Sequence, residues 1–202
     1  MEFGEQLERI RQSGFIAILR GDDTEKLIQR GFDLADAGCK IIEVTLDSTD
    51  AMHILHTLSN HLPEVMLGVG TVMRPRVELA DAVAAGARFA LSPIHPEHFV
   101  EAARKYDVMP VPGVATPDEL WRAHVAGAPL VKLFPASQWS PSLLRSLPSP
   151  LRTIATLPTG GVHPKAVQEW LEAGAFACGI GSALTAENAA ALIRRLEILN
   201  RE

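Results

Sequence analysis

The sequence predicts an α/β fold of the (β/α)8 TIM-barrel type, formed as one domain over residues 1 to 202 with a short helix ahead of the first strand. Three observations point there. Short β-rich apolar runs alternate with segments that carry apolar residues at helical spacing, and the runs begin again every 20 to 26 residues. Four near-repeats, Ala37-Gly38-Cys39, Ala85-Gly86-Ala87, Ala126-Gly127-Ala128 and Ala173-Gly174-Ala175, each follow a helical pattern and precede a strand. Glycine there supplies the left-handed residue that ends a helix, so these are junctions of one kind. Eight regular units favour a closed barrel, and 202 residues sits near that fold's lower limit of about 200. A doubly wound open sheet is the alternative architecture.

Taken in order, residues 1 to 14 mix Glu2, Glu5, Glu8, Arg9 and Arg11 with a few apolar side chains. That pattern predicts a short amphipathic helix and lacks the apolar core of a secretory signal. Strands are expected over residues 15 to 20, 41 to 46, 66 to 71, 88 to 93, 108 to 112, 130 to 134, 153 to 158 and 177 to 181. Among the intervening segments, residues 24 to 37, 75 to 85, 96 to 106, 117 to 126 and 164 to 173 carry helical patterns. The last four open on proline, whose fixed φ suits a first helical position.

Composition narrows the function. With 47% hydrophobic and 21% charged residues the chain reads as an ordinary globular protein. A formal charge of −5 and scattered basic residues offer no phosphate-backbone footprint, so no nucleic-acid partner is expected. No stretch approaches the roughly 20 apolar residues that span a bilayer, so no membrane association is expected. Cys39 and Cys178 lack disulfide-scaffold or metal spacing and read as reduced, buried small residues, which fits a cytoplasmic location.

Two charges stand where strands should be apolar. Lys132 lies inside Leu130-Val131-Lys132-Leu133-Phe134-Pro135, and Glu43 inside Ile41-Ile42-Glu43-Val44-Thr45-Leu46. Desolvation lowers an amine's pKa, and a free amine near neutral pH can attack a carbonyl to form a Schiff base. Because strand side chains alternate, Glu43 shares a face with Thr45, and Lys132 with Phe134. If that face is the barrel interior, acid and amine can meet, either for chemistry or as a structural ion pair filling a barrel layer.

Polar residues gather at the expected C-terminal strand ends, where barrel active sites form: Arg20, Thr45, Thr71 and Thr159. Thr159-Gly160-Gly161-Val162 closes the seventh strand and Gly179-Ile180-Gly181-Ser182 the eighth. Bare N–H groups there suit a phosphate, which barrels often bind at these two loops; glycines that merely permit tight turns are the other reading. Gly68-Val69-Gly70 lacks the third glycine of a dinucleotide fingerprint. His53, His56 and His61 read as a solvated helix face, and His95 or His98 as a border of the substrate mouth, so no metal site is expected. Trp121, Trp139 and Trp170 read as packing residues, with Trp139, on a loop, the one placed to reach a ligand.

These motifs, in order, resemble a known family. Ile18-Leu19-Arg20, Ile42-Glu43-Val44-Thr45, Gly68-Val69-Gly70-Thr71-Val72, Leu91-Ser92-Pro93, Val111-Pro112-Gly113-Val114, Lys132-Leu133-Phe134-Pro135, Pro158-Thr159-Gly160-Gly161 and Gly179-Ile180-Gly181-Ser182 are similar to those of the class I aldolases that cleave 2-keto-3-deoxy-6-phosphogluconate (KDPG). Siblings act on the galactonate epimer and on 4-hydroxy-2-oxoglutarate. The resemblance runs from about Phe15 to Leu184.

It implies that Lys132 forms the Schiff base and Glu43 shuttles protons. It also implies that Arg20 and Thr71 hold the pyruvate carboxylate, and that Gly160, Gly161, Gly181 and Ser182 receive the phosphate. Pro93, Phe134 and Thr159 complete the substrate-binding set. The substrate implied is a phosphorylated 2-keto-3-deoxy sugar acid, cleaved to pyruvate and glyceraldehyde 3-phosphate, with no metal or organic cofactor and a homotrimeric assembly. Threonine ahead of the glycine pair resembles the gluconate enzymes, since a galacto-type enzyme has an apolar residue there. One position departs: some members carry a carboxylate-binding arginine where this chain has Asp47, and an acid there would repel the substrate if it pointed inward. Cleavage of the galactonate epimer or of 4-hydroxy-2-oxoglutarate is the alternative within the family, since the Ile18-Leu19-Arg20-Gly21 start resembles both gluco- and galacto-type enzymes. Outside it, a phosphate-binding barrel isomerase or epimerase, with Glu43 as base, and a non-catalytic ligand-binding barrel are the competing readings.

Overall fold

The computed structural model describes residues 3 to 199. Helix α1 (Gly4–Ser13) precedes strand β1 (Phe15–Leu19), and the chain then alternates: α2 (Thr24–Asp36), β2 (Ile41–Thr45), α3 (Ala51–His61), β3 (Met66–Gly70), α4 (Pro75–Ala84), β4 (Phe89–Leu91) and α5 (Phe99–Lys105). It continues through β5 (Met109–Val111), β6 (Gly113–Val114), α6 (Pro117–Val125), β7 (Val131–Leu133), α7 (Pro141–Ser146), α8 (Ser149–Arg152), β8 (Thr156–Pro158), α9 (Val167–Glu172), β9 (Cys178–Ile180) and α10 (Ala186–Leu199). Met1 and Glu2, which the sequence assigns to the first helix, lie outside the described residues.

All strand pairs are parallel. One run has the order β5-β4-β3-β2-β1-β9 and the other β6-β7-β8. They close into a ring because β5 and β6 are one stave interrupted at Pro112, and because Thr159, just past β8, bridges Gly179 of β9. Proline lacks the N–H that an unbroken ladder needs. Its carbonyl still accepts from the Lys132 N–H at 2.8 Å, keeping the stave attached to β7. Eight staves result, as the repeats predict.

Alternation sorts the core into two layers. Phe15, Ala17, Leu19, Ile42, Val44, Leu67, Val69, Val131 and Leu133 face outward and pack beneath the helices. Ile16, Ile41, Met66, Phe89, Met109, Leu130, Leu157 and Ala177 fill the barrel interior, and Phe3 with Ile10 of the α1 region packs against them. Glu43 and Lys132 belong by parity to the interior face, so apolar packing lies below them and the C-terminal strand ends lie above.

Beyond α1, three element starts fall three residues later than the sequence expectation, while the other expected starts agree within one residue. Strand β8 starts at Thr156 rather than residue 153, since Thr153 closes α8 and its hydroxyl donates to the Pro150 carbonyl at 3.1 Å. Helix α5 starts at Phe99 rather than residue 96, because His98 adopts the left-handed conformation at φ 58° and Pro96 remains in the loop. Pro164 opens a 3-10 turn ahead of α9. One tryptophan reading also changes, and a second keeps its packing role but loses its reach to a ligand. Trp121 is exposed on α6, because it sits on that helix's outward face, while Trp139 is buried in the outer core and not free to meet a ligand. Trp170 packs in the core as expected. Cys39 and Cys178 are free and buried, and burial pushes both thiols up to about 12. No described helix is long and apolar enough to cross a membrane.

Candidate active site

Glu43 and Lys132 are buried to 1% and 3% exposure, on β2 and β7. Neither is neutralised by a close partner. Both Glu43 carboxylate oxygens are buried without a hydrogen bond, and among the described residues no ion pair within 4 Å joins them to Lys132. The structural ion pair that the sequence left open is therefore absent, although the two groups still feel each other's charge. Burial pushes the Glu43 carboxyl up, and the charges of Lys132 and Arg20 oppose that shift without reversing it. Burial pushes the Lys132 amine down, with Glu43 opposing. The interior thus favours the neutral form of each, an amine able to attack and an acid able to give a proton.

Glycine makes room for the acid. A methyl group built on Gly70 would overlap Glu43 Oε1, and would lie 3.0 Å from its Cγ. Gly70 pairs with Thr45, two residues along the same face of β2 from Glu43, so bare backbone forms the floor of the carboxylate's seat. A glycine inside a strand often marks such close approach, and that signal was present in the Gly68-Val69-Gly70 motif.

At the amine's side, Lys132 Nζ lies 5.0 Å from the centre of the Phe134 ring. That ring in turn lies against Gly160, where a Cβ would approach it to 2.9 Å. Gly160 is held at φ 87°, so closeness and backbone both require glycine there.

Arg20 stands at the end of β1 and reaches across two neighbouring staves. Its Nη2 donates to Thr71 Oγ1 at 3.0 Å, and its Nε lies 3.4 Å from both Thr45 Oγ1 and Asp47 Oδ2. Thr71 itself is left-handed at φ 59°, which carries its hydroxyl toward the arginine. Asp47 does not simply oppose an incoming anion: it is paired with the cation expected to bind that anion. Burial raises its pKa, and the Thr45 and Thr71 hydroxyls with Arg20 more than offset this, keeping it below the usual carboxylate range. Ser48, which the sequence did not single out, shares a 2.9 Å hydrogen bond with Thr45 and accepts the Gly21 N–H at 3.2 Å.

Within the two glycine loops, Gly161 and Gly181 differ from the closely packed Gly160 and Gly179. A Cβ at Gly161 or Gly181 would meet nothing within 4 Å. Ser182 is exposed beside them. Thr159 is buried, donates to the Leu157 carbonyl at 3.1 Å, and crowds Gly179. Pro93 backs closely onto Gly113 and, with Ile94, His95, Arg122, Phe134 and Pro135, borders a cavity of about 630 Å³. His95 therefore does border a cavity reaching Phe134, and its burial lowers its pKa. His98 instead bonds Glu101 at 2.8 Å, and His53, His56 and His61 are exposed. Among the described residues no group of three or more His, Cys, Asp or Glu could hold a metal ion. A separate cavity of about 430 Å³ beside Arg9, Lys40 and Glu197 is lined by none of these site residues.

Comparison with known proteins gives this geometry a family. The model of the family described as "KDPG and KHG aldolase" matches residues 7–195, beyond the span of the motifs at both ends. The 2-dehydro-3-deoxy-6-phosphogalactonate aldolase of Escherichia coli (strain K12) is 33% identical over 192 residues, covering 89% of this chain and 92% of that protein. The 2-dehydro-3-deoxy-phosphogluconate aldolase of Treponema pallidum (strain Nichols) is 31% identical over 190 residues, covering 93% of this chain and 88% of that one. Among solved structures, the KDPG aldolase of Legionella pneumophila, with pyruvate captured at low pH as a covalent carbinolamine intermediate, superposes with a TM-score of 0.77 at 30% identity. That match covers 95% of this chain and 96% of the other. A family match spanning nearly the whole barrel, set beside a buried amine and acid on its inner face, leads to one conclusion: the chain belongs to the KDPG and KHG aldolase family.

Proposed function

We propose that the chain is a Schiff-base aldolase that reversibly cleaves KDPG to pyruvate and glyceraldehyde 3-phosphate. The observation that carries this reading is the pair Lys132 and Glu43, both buried on the barrel's inner face and neither neutralised by a close partner. A pair serving stability alone would be expected to close into contact, because an uncompensated buried charge is costly.

Lys132 Nζ attacks the C2 carbonyl, and Glu43 protonates the resulting oxygen so that water leaves and an iminium ion forms. Glu43, now a carboxylate, accepts the proton of the C4 hydroxyl as the C3–C4 bond breaks and the electron pair passes into the iminium. Glyceraldehyde 3-phosphate departs. Glu43 returns its proton to C3 of the enamine left behind, and water hydrolyses the imine to pyruvate and free Lys132 while Glu43 takes up the released proton. The residual donors of Arg20, with Thr71, hold the carboxylate and fix the carbonyl over the amine. Gly160, Gly161, Gly181 and Ser182 seat the phosphate, supported by the open space at Gly161 and Gly181. Pro93 and Phe134 form the apolar wall. Thr159, with its hydroxyl tied to Leu157, presents the gluconate-type residue at the loop.

The whole chain acts as one barrel domain and assembles as a homotrimer in the cytoplasm. Support for the assembly comes from Met73, Val77, Ile94, Trp121 and Val125, large apolar side chains exposed on consecutive units around one side of the barrel. The test is reductive trapping with pyruvate followed by peptide mass spectrometry, alongside cleavage assays of the gluconate and galactonate epimers. A reduced pyruvyl adduct on Lys132 and preferred turnover of the gluconate epimer are expected. Folded protein with no adduct overturns the aldolase reading and promotes a phosphate-binding isomerase.

A further inference from the structure

Arg30 lies on α2, within a helix outside the barrel, and nothing in its sequence context marks it as functional. In the structure its Nη2 donates to the carbonyl oxygens of Gly181, at 2.9 Å, and Leu184, at 3.1 Å. These residues belong to the loop between β9 and α10, some 151 and 154 positions away in the chain. Arg30 is partly buried and forms no ion pair among the described residues. A partly desolvated guanidinium usually finds a carboxylate, so one held only by loop carbonyls calls for another explanation.

The rest of that loop shows what the contact achieves. Asn188 Nδ2 donates to the Ala183 carbonyl at 2.9 Å, and Asn188 and Thr185 exchange hydrogen bonds at the start of α10. The carbonyls of Gly181, Ala183 and Leu184 are thus all drawn onto donors of α2 or α10, and the Gly181 carbonyl also accepts the Leu184 N–H at 3.0 Å, which closes the loop as a turn. Carbonyl oxygens repel an anion, so binding them removes the loop's repulsive groups. In a planar trans peptide the N–H points opposite to the C=O, so turning the Gly181 carbonyl onto Arg30 turns the Ser182 N–H away from it. Among the described residues that N–H has no acceptor. Open space surrounds Gly181 where a side chain would stand.

We propose that Arg30 is a positioning residue for the substrate phosphate, turning the Ser182 N–H toward the anion and adding an uncompensated positive charge behind it. This rests on the aldolase reading above and assigns to it a residue outside the barrel. Arg30 touches neither the reacting atoms nor, directly, the phosphate; it acts through the loop.

The test compares two aldehydes in the condensation direction, glyceraldehyde 3-phosphate and unphosphorylated glyceraldehyde, each with pyruvate. Arg30→Gln is expected to lower kcat/KM for the phosphorylated aldehyde about 10-fold to 100-fold, mainly through KM, as charged hydrogen bonds to backbone are lost. For glyceraldehyde the change stays within about threefold, as expected for a group acting only through the phosphate. Arg30→Lys keeps the charge and one contact, so a smaller loss confined to the phosphorylated aldehyde is expected; this variant carries the comparison should Arg30→Gln fold poorly. Equal losses with both aldehydes, or none with either, overturn the proposal. Pyruvate trapping on Lys132 is run on every variant. Absence of an adduct in the unsubstituted protein refutes the aldolase reading itself, whereas normal trapping with no phosphate-selective loss refutes only the role of Arg30.

Discussion

Replacing Gly70 by alanine tests whether Glu43 acts from the seat that the barrel gives it. Gly70 has ordinary strand backbone, so alanine introduces no forbidden φ. The added methyl instead collides with the Glu43 carboxylate, overlapping Oε1 and approaching Cδ to 2.5 Å. Restoring van der Waals separation moves the carboxylate by on the order of 1 Å or more, and a displacement of that size costs about 10²-fold in rate. That corresponds to about 2.7 kcal/mol of lost transition-state stabilisation. Steady-state cleavage of KDPG measures the loss, and denaturant unfolding separates it from instability. Because the damage passes through Glu43, it should vanish when the acid is already gone: Gly70→Ala added to Glu43→Gln should cost less than about threefold further. A Gly70→Ala enzyme within threefold of the parent would refute the reasoning, as would full additivity in the double variant.

Lys132→Met removes a buried amine of similar length, abolishes pyruvate trapping, and should stabilise the fold by about 1 to 2 kcal/mol at neutral pH, as often follows when buried charges are replaced by apolar groups. Thermal unfolding should show a Tm increase of roughly 2 to 8 °C for a barrel of this size; a lower Tm would refute the claim that the buried amine is an uncompensated cost to the fold. The depressed Lys132 pKa has a definite sign. Between its folded value and the ordinary 10.5 the unfolded chain binds more protons, so this group's contribution to stability rises with pH across that window. The rate of imine formation with pyruvate should likewise rise with pH and level off well below 10.5, with Glu43→Gln shifting the midpoint lower because Glu43 raises the amine's pKa. A rate still climbing at pH 10.5 would refute the lowered value. Asp47→Asn releases the Arg20 Nε from its 3.4 Å ion pair. The pair is half exposed, at 54% and 47%, so stability should change by no more than about 0.5 kcal/mol, while KM for pyruvate in the condensation assay should fall about twofold to fivefold as the guanidinium loses its internal anion. A raised KM would show that Asp47 orients Arg20 rather than competing for it.

Much of this architecture was legible because barrels repeat. The period-2 pattern of Ile41 to Leu46 and of Leu130 to Pro135 located strands, and the same alternation placed Glu43 and Lys132 on one face. The Ala-Gly junctions located helix ends, since Gly38, Gly86, Gly127 and Gly174 all take the left-handed conformation. Boundaries slipped where side chains compete with the ladder: Thr153 capped a helix instead of starting a strand, and Pro96 lay in a loop because His98, not proline, set where α5 begins. Trp139 packs as expected, while the reach to a ligand that its loop position suggested is removed by burial in the outer core, a matter of packing that local sequence does not encode.

For the site, the sequence by itself determined which groups carry the chemistry: a lysine and a glutamate in strands where desolvation disfavours charge, and glycines at two strand ends. Local pattern suffices for that, because burial and alternation follow from strand periodicity. Tertiary structure alone decided how those groups meet. That Glu43 and Lys132 share an interior without closing into an ion pair, that Gly70 clears the carboxylate's seat, that Asp47 engages Arg20, and that Arg30 turns a loop more than 150 positions away all depend on which staves become neighbours. The cause is physical: distances across a closed ring are fixed by the register and closure of every strand together, and no single stretch of sequence contains them.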